Sequence, residues 1–253
     1  MLFKCTNLAK KINNGQIYLL QSYLQFHRKS DDSHKFIDIT GKIQYFYESF
    51  NLICMAHEEI LSIGVFIDGG YYAKINEGFG GTKEVNLKGL LSFICRRIAQ
   101  ENGIDRKRLY VTECHYYRGR YRAAEAKSKN LLYDERKFED MLIENDVIFH
   151  YKHLRTNPTG GVIEKGVDTW FALDTYEMTL FRQFDFVVLI SGDADHEMLA
   201  RKLKALKTHV ILLTWDPANT ASTSKFLKEE VCTHFDMNSI IAEDKTLLQT
   251  LTL

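Results

Sequence analysis

A chain of 253 residues with zero formal net charge and a pI near 7.1 cannot coat a polyanion by bulk charge, so any nucleic-acid contact must come from a local patch. Its 45% hydrophobic and 26% charged residues suit a globular protein, and no apolar run approaches the ~20 residues of a membrane span. Five cysteines, at 5, 54, 95, 114 and 232, lie far apart with no CxxC pair, which reads as reduced thiols in a cytoplasmic protein and excludes a disulfide framework or a zinc ribbon.

The opening MLFKCTNLAKK lacks the apolar stretch of a signal peptide. Residues 1–60 are aromatic-rich and amphipathic, with a break around SDDSHK (30–35), and predict a mainly helical N-terminal extension. Covering a sheet edge is one role for it; contact with a protein partner or a second copy is the other. From residue 63 the pattern changes. IGVFID (63–68) is a buried strand. Residues 85–103 repeat Leu87, Leu90, Leu91, Ile94 and Ile98 at helical spacing, with Gly103 as the stop. A strand over 108–117, a helix over 129–146 and a strand over 147–154 follow. RTNPTGG (155–161) is loop chemistry. A helix over 167–183, the apolar strand FDFVVLI (184–190), a helix over 195–207 and a strand over 208–215 complete the series.

Strands alternating with helices of ten or more residues require crossover connections, hence a parallel sheet covered on both faces. The expected architecture is a doubly wound α/β domain over 61–240, after the extension 1–60 and before a C-terminal tail 241–253. In such sheets ligands bind at the carboxyl ends of the strands, near a topological switch point.

Two strands then deliver carboxylates to that rim. Strand 63–68 ends in Asp68; strand 184–190 runs into Ser-Gly-Asp193-Ala-Asp195. Asp168 opens the helix at 167 beside the same rim. Each aspartate alone is explained by helix capping. Four converging ones repel unless a cation neutralises them, and oxygen-only ligands select Mg²⁺ or Mn²⁺. Such an ion orients a phosphate and lowers the pKa of a bound water, the requirement of phosphodiester hydrolysis.

Between 118 and 129 stand five basic side chains and one acidic one, interleaved with tyrosines. Arg118, Arg120 and Arg122 with Tyr117 suit a single-stranded RNA path through phosphate contacts and base stacking; a solvated helix face is the competing reading. EGFGGTK (77–83) lacks the order of a dinucleotide loop and reads as a plain loop. His150 and His153, three apart in a strand, point to opposite faces and share no metal.

IGVFIDGGYY (63–72), KGVDTWFALD (165–174) and VVLISGDADHEMLARKLKALKTHVILL (187–213) together resemble the NYN domain, in its LabA-like branch, within the PIN-like nuclease superfamily. The resemblance covers roughly 60–240. It implies a PIN-like three-layer α/β/α fold with a central parallel sheet, and an acidic metal site cleaving RNA. Carried over by motif, Asp68, Asp168, Asp193 and Asp195 are the catalytic and metal-binding positions, and Lys165 is placed to meet a phosphate. Two positions depart from the pattern: Tyr71 stands where the family reads Asn, and His196 where it favours an aromatic.

The implied activity is a Mg²⁺- or Mn²⁺-dependent endoribonuclease acting on single-stranded or loop regions of RNA, with no membrane partner. The alternative is a PIN-like RNA-binding or scaffold protein of little activity, which Tyr71 favours and the four aspartates disfavour. A haloacid-dehalogenase-type phosphatase needs a second acidic residue two positions after Asp68, where Gly70 stands.

Overall fold

The computed structural model describes residues 59–157, 161–219 and 223–253, and Glu59–Leu253 form one compact unit. The helical extension expected over 1–60 lies outside the described residues, apart from its last two positions. The chain runs β1 (Leu61–Asp68), α1 (Gly69–Gly78), α2 (Leu87–Asn102), β2 (Leu109–Arg120), α3 (Ala123–Ser128), α4 (Leu132–Glu144) and β3 (Val147–His153). A two-stranded hairpin, β4 (Arg155–Thr156) and β5 (Val162–Ile163), leads to α5 (Val167–Arg182). Then come β6 (Phe186–Ile190), α6 (Glu197–Ala205), β7 (His209–Thr214), α7 (Lys225–Glu230), β8 (Thr233–Asp236), α8 (Met237–Glu243) and α9 (Thr246–Leu251).

Six strands form one sheet in the order β3-β2-β1-β6-β7-β8, every neighbouring pair parallel. The chain builds outward from β1 to β3, then returns to the other side of β1, so the switch point lies between β1 and β6. The period of two in each strand feeds two cores. Ile63, Val65 and Ile67 of β1, with Val188, Ile190, Ile211 and Leu213, pack under α1, α2, α4, α8 and α9 through Tyr72, Ile94, Leu142, Ile240 and Leu251. Phe66, Val187, Leu189, Val210 and Leu212 face the opposite way, against Phe171 of α5, Leu203 of α6 and Leu227 of α7. This is the three-layer α/β/α arrangement expected of a PIN-like fold.

Several elements differ from the sequence-based expectation. The second strand continues three residues further, to Arg120, because it pairs with β3 along its whole outer half, Arg120 opposite His153. The helix expected over 129–146 is α4, starting three residues later; the short α3 ahead of it was not expected, and Asn130, whose φ of 58° is left-handed, separates the two. The loop 155–161 starts in a strand that the hairpin closes. The tail at 241–253 is part of the domain: the Asn86 N–H donates to Leu251 O at 2.8 Å, the Leu253 N–H to Glu84 O at 2.8 Å, and Leu251 is fully buried. No helix among the described residues is long and apolar enough to cross a membrane.

Candidate active site

Parallel pairing sets Ile67 of β1 against Ile190 of β6, so the next residues, Asp68 and Ser191, meet at the switch point. Asp68 is the N-cap of α1: its Oδ1 accepts from the N–H groups of Gly70 (2.9 Å) and Tyr71 (3.1 Å). Its Oδ2 accepts from the Ser191 hydroxyl at 3.2 Å. Ser191 has one proton, and giving it to Asp68 makes Oγ an acceptor. Oγ then takes the Asp193 N–H at 3.3 Å and the Nδ1–H of His196, 2.9 Å away. His196 is buried, its ring centroid 4.5 Å from that of Phe171, with Nε2 lacking a partner among the described residues. The histidine thus packs where an aromatic was expected and also supports the serine that holds Asp68. Beyond β6, Asp193 caps a single 3₁₀ turn by accepting from the Asp195 N–H at 3.0 Å.

Asp168 arrives from α5. The helix begins at Gly166, whose φ of 76° lets the chain turn in from the hairpin and sets Asp168 in the first turn. Asp168 therefore caps nothing. Desolvation by its surroundings, then the charge of Asp68, with smaller contributions from Asp193 and Asp195, hold its carboxyl above the ordinary range; His196 partly opposes this. Glu164 comes back from the same hairpin, its Oε2 accepting from the Gly119 N–H at 3.0 Å. Burial raises its carboxyl too, against the lowering effect of the Gly119 N–H and Arg118, with Asp168 and Asp68 adding to the rise.

Asp68, Glu164, Asp168 and Asp193 line one open cavity of about 820 Å³ together with Tyr71, Lys74, Ser224, Lys225 and Phe226. Three of the four expected aspartates thus share a cavity. Asp195 does not line it; the 3₁₀ turn leaves it exposed, where its charge still reaches Asp168. Glu164 was missed: in sequence it is one more acidic residue, and only the hairpin folds it inward.

The expected RNA path is corrected. Tyr117 is fully buried, stacked on His150 at 4.3 Å with its hydroxyl directed to Asp174 Oδ2 at 3.4 Å, so its ring has no face for a base. Arg120 is held by Glu139 at 2.6 Å and lies over the Tyr151 ring at 5.0 Å, which commits its guanidinium to the fold. Arg118 is half-buried against the Tyr116 hydroxyl at 3.4 Å. Arg122 is exposed at the start of α3, and Lys165 is exposed; neither lines the cavity. Residues 117–122 lie at the carboxyl end of β2, which pairs on the side of β1 away from β6, whereas Lys165 lies between β5 and α5.

Tyr71 explains its own departure. Its buried hydroxyl accepts from the Trp215 N–H at 3.1 Å, and a Cβ at Gly192 would come within 2.6 Å of its ring. The ring fills the space above Gly192 and ties α1 to the ends of β6 and β7. Burial raises the phenol's pKa and keeps it neutral.

Among the described residues no three His, Cys, Asp or Glu side chains form a preformed metal cage. The cavity nonetheless gathers four carboxylates, Asp68, Glu164, Asp168 and Asp193, and the charge of Asp68 adds to the desolvation that raises the Asp168 carboxyl. That donor set fits a hard divalent cation in kind.

No curated protein matches the chain. The family model described as NYN domain matches residues 62–238, well over half of the chain and all of the six-stranded sheet but Leu61. The matched span holds the strands that carry Asp68 and Asp193 to the cavity, and the chain belongs to the NYN domain family, within the PIN-like nuclease superfamily.

Proposed function

We propose that the protein is a metal-dependent endoribonuclease of the LabA-like branch, hydrolysing RNA phosphodiester bonds in single-stranded or loop regions. The observation that carries this is one open cavity at the switch point lined by Asp68, Glu164, Asp168 and Asp193. Asp68, Asp168 and Asp193 would hold Mg²⁺ or Mn²⁺, with Asp195 adding charge from outside. When bound, such an ion neutralises the phosphate and lowers the pKa of its water. The chain's part is placement. Two backbone N–H groups and Ser191 fix both oxygens of Asp68, and the Gly119 N–H fixes Glu164. Fixed carboxylates need no reorganisation as charge develops on the phosphate. Cys95, Cys114 and Cys232 are free thiols, in keeping with a reducing, cytoplasmic setting.

The test is cleavage of labelled single-stranded and hairpin RNAs with Mg²⁺, Mn²⁺ or EDTA, wild type beside Asp168→Asn. Cleavage that needs the metal and falls by more than about 100-fold in the variant, beyond the usual cost of an outer-shell partner, supports the reading. The second reading is a PIN-like RNA-binding or scaffold protein. Tyr71 favours it, because the hydroxyl spent on Trp215 offers the site no polar group in place of Asn. A folded wild type that binds RNA and cleaves none of the set would select it.

A further inference from the structure

The cavity has a second wall that the carboxylates do not explain. In the same cavity, α1 contributes Lys74, and the start of α7 contributes Lys225 and Phe226. Phe226 leaves 65% of its surface in solvent while its neighbour Leu227 fills the core, so the ring is not there for packing. Among the described residues Lys225 pairs with Glu229, at 3.7 Å, with the two side chains 85% and 58% exposed. A pair so solvated holds its lysine weakly and leaves it free to swing. Past Lys74 a smaller cavity of about 210 Å³ continues the trough, sharing Tyr71 and Lys74 and reaching Glu77, Trp215, Asp216 and Ala218.

We infer that Lys74, Lys225 and Phe226 hold an unpaired nucleotide beside the carboxylates, so that the substrate is a single strand lying along this trough. The inference rests on the nuclease reading and assigns the residues that hold its single-stranded substrate. A phosphodiester approaching four carboxylates is repelled, and the two lysines are the basic side chains that line the same cavity. Lysine suits this as a compact charge on a flexible stem. An exposed aromatic at the lip offers a stacking platform, and stacking needs a base whose face is open. In an A-form duplex the base faces are covered by their neighbours. The trough therefore takes single strands and excludes duplex.

The test uses the full chain carrying Asp168→Asn, in Mg²⁺, and a labelled 12-nucleotide oligouridine, free or annealed to its complement, followed by fluorescence anisotropy. Phe226→Ala should weaken single-strand binding by roughly 5- to 150-fold, the range for one lost base stack, and leave the weaker duplex binding unchanged. Phe226→Trp should retain binding. Lys74→Ala and Lys225→Ala should each lower the slope of log affinity against log salt by about 0.7. All these positions are exposed, so an unchanged melting curve will confirm folding. Equal binding of single strand and duplex, no measurable binding of the single strand, or Phe226→Ala behaving as wild type would overturn the inference. Single-strand binding that depends on Phe226, with no cleavage by wild type, would remove the nuclease reading alone. Metal-dependent cleavage indifferent to Phe226 would remove this inference alone.

Discussion

Asp68 meets two demands that usually fall on different residues. As the N-cap of α1 it is structural, a role commonly worth about 1 kcal/mol, yet its second oxygen is held by Ser191 and its charge is felt at Asp168. Asp168 carries no capping role, so its substitution isolates the electrostatics. Its folded carboxyl titrates above the unfolded one. Between the two values the folded chain holds the extra proton. The stability that proton confers is present below the unfolded pKa and lost as pH rises through the folded one. Asp168→Asn cannot ionise and escapes the loss. In EDTA at neutral pH it should melt no lower than wild type, and by at most about a degree or two higher, since solvent screens a largely exposed group. Below the carboxylate range the difference should vanish. A variant clearly less stable at neutral pH would mean that Asp168 supports the fold.

At the scale of elements, legibility followed length and periodicity. The long helices α2 and α5 and the strands β1, β6 and β7 repeat apolar residues often enough to be read, and each lies within a few residues of its expected place. Helix α1 was missed because it opens on two glycines, the poorest helix formers after proline; the cap from Asp68 and the burial of Tyr72 and Ile75 override that propensity. Strand β8 is four residues with three polar ones, and α9 is six residues, too short to show a period. Yet α9 closes the core beside α2. Leu251→Ala should cost about 2–5 kcal/mol, read as a lower urea midpoint at unchanged slope. A loss under about 0.5 kcal/mol would return these residues to the status of a loose tail.

For the molecule as a whole, folding and metal binding are linked if the cavity holds an ion. A ligand that binds only the folded chain stabilises it by about 2.7 kcal/mol at a hundred times its dissociation constant. Mn²⁺ should therefore raise the melting temperature of wild type by several degrees, about 2–4 °C per kcal/mol for a domain of this size, and leave Asp168→Asn little changed. Equal shifts in both would place the ion elsewhere.

Alternating hydrophobicity determined by itself that the sheet is parallel and covered on both faces, because half-period and helical-period patterns are local properties of the backbone. From that, Asp68 and Asp193 had to reach one rim, since parallel strands all end on the same side. Asp168 followed, as the first turn of a helix that begins there. What surrounds them was decided only by tertiary structure. The hairpin β4–β5 brings in Glu164; the register of β2 against β3 buries Tyr117 and ties Arg120 to Glu139; α7 brings Phe226 to the same cavity. These contacts join residues tens of positions apart, and whether a side chain points inward or outward is fixed by the packing of both partners. A basic run therefore looked like a binding path while its arginine and tyrosine were being used to hold the fold together.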